Sequence, residues 1–356
     1  MTINRKDVAL SQLTRRTALA GVGLSMAGGL VRPASAQGKN LVVATFPGTW
    51  ADAHRQLLAP AFTSRTGATV SQSIILGVDQ VSRLAAAKGG PPPFDVALLD
   101  LPQVGDAVKL GLIQEYPVAK SPAFSKLAPV FQDKWGPRVS MQVVGIGYNP
   151  EKIKTPPTTW EALWDPKYKG RIGLTALNSQ LGLAFFAEIN RLHGGTEDNF
   201  DPAFKALKTL LPNVGAIGVN LGAYATLWQQ EQIDIAPYNF NFVQTLKAKE
   251  VPVDLVIPSS GAVGWYTSMH LVTGAVAPDL AVSYIDTAID PAVEAAMAKP
   301  PFDMIPSNPQ VPLPASLTKS IAKTYDDLAA IRSFDWDKIN PQRSALIDRF
   351  NREIKL

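Results

Sequence analysis

From Asn40 onward, short apolar runs alternate with amphipathic stretches. "NLVVATF" (40–46) is rich in Val and runs into Pro-Gly, which predicts a buried parallel strand. In "WADAHRQLLAPAFTSRT" (50–66), Leu57, Leu58, Ala61 and Phe62 fall at helical spacing, and Gly67 ends the helix. "ATVSQSII" then reads as a strand and "VDQVSRLAAAKGG" as a helix. "FDVALLD" (94–100) is a third buried strand with an acid at its C-terminal end, and "PQVGDAVKLGLI" a further helix. This β-α-β-α-β-α order predicts a parallel α/β sheet.

The second half begins with "RVSMQVVGIGYNP" (138–150), an extended run long enough to cross between domains. Thr159 and Glu161 mark a helix start, with Trp160, Leu163 and Trp164 on one face. "GRIGLTAL", "IDIAPYNF" and "VDLVIP" read as strands. "LGLAFFAEINRLHGG", "LGAYATLWQQEQ" and "FVQTLKAKE" read as helices. Helices dominate after "APDLAVSYIDTAID", and "WDKINPQRSALIDRFNREI" is amphipathic. No repeat, low-complexity tract or long linker interrupts the pattern. A length of 356 residues suits two domains. The expectation is two α/β lobes joined by extended strands. Ligands of open α/β sheets bind beyond the C-terminal strand ends. That rule selects Phe46–Trp50, Asp100 and Leu101, Ala176–Ser179, Tyr238 and Asn239, and Ser259–Tyr266.

Composition changes this picture mainly at the N-terminus. Arg5, Lys6, Arg15 and Arg16 precede the uncharged stretch Ala18–Val31, and Ala34-Ser35-Ala36 is a small-residue cleavage motif. This is the pattern of a secretory signal peptide spanning residues 1–36, too short in its apolar part to span a bilayer. Thr14-Arg15-Arg16 adds a twin-arginine motif, of whose usual Phe-Leu-Lys continuation only Leu19 is present, so both export routes stay open. The segment holds five Lys/Arg and one acid. Beyond it basic and acidic side chains balance at 29 each, which removes the charge argument for nucleic-acid binding. Absence of Cys excludes disulfides, thiolate metal sites and Cys nucleophiles. An exported, unanchored, Cys-free chain fits the periplasm of a Gram-negative bacterium.

Catalytic motifs are scarce: no G-x-S-x-G elbow, no H-E-x-x-H and no phosphate loop. His54, His193 and His270 read as structural, and no cofactor or metal set emerges. A Ser/His/Asp triad assembled in space keeps a secreted α/β hydrolase as the rival class. Aromatics carry more information. Phe46 and Trp50 follow the first strand, while Tyr238, Trp265 and Tyr266 lie at strand ends of the second half. Facing one cleft, they would form a stacking surface for a flat or cationic solute. The ligand-binding candidates are Phe46, Trp50, Asp100, Asn178, Tyr224, Tyr238, Asn239, Trp265 and Tyr266.

Several segments resemble the type II periplasmic solute-binding proteins of ABC transporters. "LVVATFPGTWADAHRQLLAPAFTSRTGATV" is similar to their opening strand, Gly-containing loop and helix ending in Phe-x-x-x-Thr-Gly. "FDVALLD" resembles their Tyr-Asp-Val strand. "GIGYNPEKIKTPPTTWEALWDPKYKGRIGL" is similar to their Tyr-Asn, Pro-Pro-Thr-Ser-Trp and Leu-Trp-Asp-Pro-x-Tyr-x-Gly landmarks, and "VIPSSGAVGWYTS" and "PFDMIPSN" to later ones. The resemblance covers nearly the whole chain after the leader, and the spermidine/putrescine-binding branch is the most similar. It implies a two-lobed Venus-flytrap α/β fold with a hinge of crossing strands. Residues 37–137 and 266–310 would form lobe 1, residues 138–265 lobe 2, and residues 311–356 helices packing on both. It also implies a monomer that captures a small-molecule solute and docks on an inner-membrane ABC permease, with no catalysis. The branch carries Pro-x-Glu-Gly followed, after three residues, by Trp-x-Asp. Here Ser260 stands for the Glu, Trp265 is kept, and Thr267 stands for the Asp. The branch's acid-rich loop corresponds to "LTALNSQ", with Asn178 and no acid. A polyamine in a closed cleft needs carboxylates, and Asp100 is the one acid left at a predicted strand end. A neutral, zwitterionic, monocationic or organic-acid solute fits better, with a polyamine as the alternative. Gly261–Tyr266 then reads as a turn forming a cleft wall, with Trp265 as its stacking surface.

Overall fold

The paired extended segments Arg138–Tyr148 and Val263–Leu271 form the middle of the molecule, and the other strands attach on either side of them. The computed structural model describes residues 40–319 and 321–356; the leader, its twin-arginine motif and its cleavage site lie outside them. In chain order the strands are β1 (Asn40–Thr45), β2 (Thr69–Ile74), β3 (Val96–Asp100), β4 (Arg138–Tyr148), β5 (Ile172–Thr175), β6 (Val214–Gly218), β7 (Ile235–Asn239), β8 (Asp254–Val256) and β9 (Val263–Leu271). The helices are α1 (Thr49–Ala53), α2 (Ala59–Thr66), α3 (Gly77–Ala86), α4 (Leu101–Lys109), α5 (Gln180–Leu192), α6 (Asp201–Leu210), α7 (Leu221–Gln229), α8 (Phe240–Lys247), α9 (Pro278–Ala288), α10 (Pro291–Met297), α11 (Ala315–Thr318), α12 (Tyr325–Ala329), α13 (Trp336–Ile339) and α14 (Arg343–Glu353). A π-helical turn, His54–Leu58, joins α1 to α2. Among the described residues, no helix is long and apolar enough to cross a membrane.

The sheet order is β2-β1-β3-β9-β4-β7-β5-β6, with β8 pairing β4. β1, β2 and β3 are parallel, as are β5, β6 and β7, which is the arrangement that strands alternating with helices produce. β9 runs antiparallel to both β3 and β4. One half of β4 pairs β9, and its other end lies between β7 and β8. This is a mixed α/β, two-lobed fold with crossing strands between the halves, as the sequence pattern predicts. A third crossing segment joins them, because Arg332 bridges to Val263 and its carbonyl accepts from Gly264 N–H at 2.8 Å. The C-terminal helices touch both halves: Asn340 donates to the Pro102 carbonyl at the start of α4, and Arg349 pairs with Asp201 of α6 at 2.6 Å.

Two expectations need correcting, and two elements went unforeseen. The helix expected from Thr159 is two short 3-10 turns, Trp160–Trp164 and Pro166–Tyr168: the Thr159 side chain makes no cap, and Pro166 cannot extend an α-helix. β6 and α6 have no counterpart in the sequence reading; "VGAIG" is short and Gly-rich, a poor strand signal. Finally, Gly261–Tyr266 is not a turn throughout. Gly261 turns with φ 93°, but extended backbone begins at Val263, so Trp265 and Tyr266 lie within β9.

α5 sits unusually close to the strand it follows. A Cβ on Gly182 would stand 2.5 Å from the Ala176 carbonyl oxygen and 2.7 Å from that of Thr175. Both obstacles are backbone, so neither can swing aside. Gly182→Ala is expected to destabilise by about 1–3 kcal/mol, read as a lower midpoint of urea unfolding at unchanged slope. An unchanged midpoint would show that α5 is free to shift on β5.

Candidate functional site

Side chains alternate between sheet faces, so register decides which residues meet. Asp100 at the end of β3 lies opposite Thr267 of β9, and Trp265 of β9 opposite Gln142 of β4. Val144, two residues beyond Gln142, lies opposite Asn239 at the end of β7. Asp100, Thr267, Trp265, Gln142 and Asn239 therefore share one face across the middle of the sheet. Contacts agree with the register: Thr267 donates to Asp100 at 2.6 Å, and Asn239 donates to Gln142 at 3.3 Å. Asp100 and Asn239 each occupy the N-cap position of the following helix, α4 and α8. These residue types usually cap, yet neither side chain does so. Ser179, Asn220 and Asp290 do cap their helices. The two uncapped side chains are left for the face they share.

The opposite wall comes from the loop after β5 and from α14. Arg343 donates to the Asn178 carbonyl at 2.9 Å and lies 3.4 Å from Gln180 Oε1. Its charge also acts on Asp100, without a direct ion pair between them. Several buried polar atoms around this set have no hydrogen-bond partner: Thr45 Oγ1 on β1, Asn239 Oδ1, Gln180 Nε2 and Trp265 Nε1. Buried polar groups are nearly always paired in folded proteins, so each of these atoms can form a hydrogen bond with a ligand or water.

Electrostatics point the same way. Burial raises the Asp100 pKa to about 6, against the opposing effects of Thr267, Trp265 and Arg343. Part of the Asp100 residue stays accessible, but the carboxyl group itself is surrounded by protein. The Trp265 indole N–H leans toward that carboxylate and lowers its pKa, although its geometry falls short of a hydrogen bond. Burial lowers the Arg343 pKa from its ordinary value, and Asp100 partly restores it.

The same alternation places other sequence candidates elsewhere. Tyr266 follows Trp265, so it faces away, edge-on to Phe131 with the Arg138 guanidinium over its ring at 4.6 Å. Tyr238 precedes Asn239 and packs against Tyr224 and Trp228. The Tyr224 hydroxyl is spent internally, 3.0 Å from the Pro237 carbonyl and 3.2 Å from that of Gly173. Tyr224, Tyr238 and Tyr266 are thus packing residues and leave the ligand-facing set. Phe46 and Trp50 meet edge to face and are half-buried; Trp50 lines a small crevice, of about 10 Å³, with His54, Met269, Glu294 and Ile305. Asn178 is exposed, with its amide on the Val219 carbonyl and its own carbonyl on Arg343. Ser260 lies 3.4 Å from Glu188, but that buried carboxylate is taken by Arg191 at 2.8 and 2.9 Å.

Sequence reasoning missed Gln142, Gln180 and Arg343. Gln142 had a signal, as a polar residue in the otherwise apolar run "MQVVGIGY". Arg343 had none, because only the tertiary path of the C-terminal segment brings it here. A Ser–His contact does exist, Ser268 to His270 at 2.8 Å. Both residues are buried within β9, the second imidazole nitrogen is held by the Trp135 carbonyl, and burial lowers the His270 pKa to about 4. His54 is likewise buried and lowered to about 3. These are structural imidazoles rather than catalytic bases. Among the described residues, no group of His, Cys, Asp and Glu is arranged to hold a metal ion.

Residues 92–342 match the family described as bacterial extracellular solute-binding protein. The chain is 23% identical over 316 residues to the spermidine/putrescine-binding periplasmic protein of Escherichia coli, covering 84% of this chain and 87% of that one. Among solved structures, an ABC transporter protein of Clostridium perfringens superposes with a TM-score of 0.74 at 21% identity, covering 88% of this chain and all of that one. The periplasmic binding protein AfuA of Actinobacillus pleuropneumoniae, solved with fructose-6-phosphate bound, gives a TM-score of 0.70 at 23% identity over 90% of this chain and 99% of its own.

The enclosed carboxylate gives the site a measurable pH signature. Folded Asp100 keeps its proton up to about pH 6, whereas an unperturbed Asp loses it near pH 3.8. The folded form therefore binds more protons in that window, and Asp100 costs stability as pH rises through it. Relative to Asp100→Asn, the wild type is expected to lose up to about 3 kcal/mol between pH ~4 and ~7, measured by urea unfolding at several pH values. A difference independent of pH would show that the carboxylate is solvated.

Proposed function

Because this chain belongs to the bacterial extracellular solute-binding protein family, a family of binding proteins rather than enzymes, we propose that it is the periplasmic receptor of an ABC importer. It closes two lobes over one small solute and passes it, as a monomer, to an inner-membrane permease. Lobe 1 comprises residues 37–137 and 266–310 and lobe 2 residues 138–265, with 311–356 packing on both. The observation that carries this reading is the inter-lobe set itself: Asp100 from one side, Asn239, Asn178 and Gln180 from the other, Trp265 and Gln142 on the crossing strands, and Arg343 from α14. Polar atoms without partners gather where a solute would touch both lobes at once, which is what closure driven by ligand requires.

The relatives bind chemically different solutes. The Escherichia coli protein is named for spermidine and putrescine, and the AfuA structure holds a sugar phosphate. Ligand class therefore follows from this chain's own side chains. A polyamine is disfavoured twice. Thr267 leaves Asp100 as the one carboxylate beside Trp265, and Glu188, near Ser260, is neutralised by Arg191. Arg343 then adds a positive charge that would repel the second ammonium.

The test is a thermal-shift screen of purified protein against amines, amino acids, organic acids and sugar phosphates. At least one is expected to raise the melting temperature saturably, without turnover, and Trp265→Ala to abolish that rise. Spermidine is expected to give none. Micromolar spermidine binding would overturn the exclusion of polyamines, and turnover abolished by a Ser→Ala change would overturn the receptor reading.

A further inference from the structure

Arg343 and Asp100 are opposite charges brought to one enclosed place, and neither is fully satisfied. A guanidinium carries five N–H donors in a planar fork. Those of Arg343 find only the Asn178 carbonyl and, at 3.4 Å, Gln180 Oε1. The hydrogen bond found for the Asp100 carboxylate is the one from Thr267. Removing charges from water costs several kcal/mol per ion unless partners replace the lost hydration. Here the partners are incomplete on both sides, and the two groups are not in direct contact. On the Arg343 side Gln180 offers an unpaired Nε2 donor, at the N-terminus of the 13-residue helix α5 with its partial positive charge. Asn239, with its unpaired Oδ1 acceptor, is separated from Asp100 by β9 and β4. The Trp265 indole lies on the face it shares with Asp100, an apolar surface whose N–H leans toward that carboxylate without a hydrogen bond.

Resting on the receptor reading above, we infer that the solute is a small zwitterion with its two charges separated by an aliphatic spacer. Its anionic end goes to Arg343 and Gln180, its single ammonium to Asp100, and its spacer lies against Trp265. Solutes of one sign leave one protein charge worse off. A diamine places its second ammonium beside Arg343, and a dianion places its second acid beside Asp100. A neutral sugar leaves both charges without a counter-charge. A zwitterion pairs both, and it does so with residues from different elements, so binding and closure are coupled.

The experiment is calorimetric titration of full-length mature protein with three sets of probes. One is the ω-amino acid series from three to six carbons, one is putrescine and spermidine, and one is succinate and glutarate. One member of the amino-acid series is expected to bind at least 100-fold tighter than any diamine or diacid. Arg343→Gln and Asp100→Asn are each expected to weaken that member by 10-fold or more. Arg343→Glu, which puts two carboxylates at the site, is expected to exchange amino-acid binding for putrescine binding. Far-ultraviolet circular dichroism and melting curves on each variant separate misfolding from lost recognition. If a diacid or diamine binds best, or Arg343→Gln leaves the affinity unchanged, the zwitterion assignment is wrong while the receptor reading stands. If neither these probes nor the wider screen binds at all, the receptor reading fails with it.

Discussion

Pairing of β4 with β9 is the constraint on which the rest depends. Both strands are long, almost wholly buried, and antiparallel to each other across the middle of the sheet. Parallel β-α units attach on either side, to β3 and to β7, so the register of this one pair sets the phase of both halves. A slip of β9 by one residue would turn Trp265 away from the face it shares with Asp100 and Gln142 and bring Tyr266 to it. The slip is opposed by packing, since Tyr266 is fixed edge-on to Phe131 and beneath Arg138. Close backbone approach opposes it too: a Cβ on Gly264 would lie 2.5 Å from the Gln142 carbonyl oxygen. The same pairing that joins the two halves therefore sets which side chains share a face with Asp100.

Much of this was legible in the sequence because it is local. The strand–helix alternation, the Gly67 stop with φ 69°, and the long run at Arg138–Tyr148 follow from periodicity and backbone preference. Strand-end placement brought forward Asp100 and Asn239, which do lie at the ends of β3 and β7, while Trp265, expected in a turn, lies within β9 on the same face. What strand-end placement leaves undetermined is which of two consecutive residues faces the cleft. Tyr238-Asn239 and Trp265-Tyr266 are each such a pair, and in each only register decides. Aromatic character pulled the reading toward Tyr238 and Tyr266, whereas packing against Trp228 and Phe131 keeps those rings on the far face. Arg343 was illegible for another reason. It sits more than 160 residues in sequence from Asn178 and Gln180, and its helix reads simply as amphipathic.

The contrast with a polyamine receptor is a matter of where carboxylates sit as well as how many there are. The acid that the resemblance places at position 267 is absent, but the register puts Asp100 directly across from Thr267, so one negative charge returns from the neighbouring strand. Likewise Ser260 replaces an acid, and Glu188 approaches it from α5. The two returns are not equivalent. Glu188 is fully buried and bound by both donors of the Arg191 fork, with Arg332 at 3.9 Å, so its charge is consumed inside the protein. Asp100 has the Thr267 hydroxyl, with the Trp265 indole N–H leaning toward it and no ion pair. Counting acids in the sequence would have treated the two alike; their partners separate them.

Arg343 also bears on why closure should wait for solute. A ligand shifts the open–closed balance only by the difference in its affinity for the two states. If the protein's own charges paired fully across the cleft, closure would proceed without solute and capture would lose its selectivity. Here Arg343 and Asp100 attract each other but stop short of an ion pair, and each stays partly unsatisfied in a poorly hydrated place. Closing empty therefore incurs desolvation of both groups while recovering only part of their Coulomb attraction. A solute that supplies a counter-charge to each removes that penalty only when both walls are present. On the proposed receptor reading, the incomplete pair acts against empty closure and in favour of loaded closure, using the same two side chains to which the solute's charges are assigned.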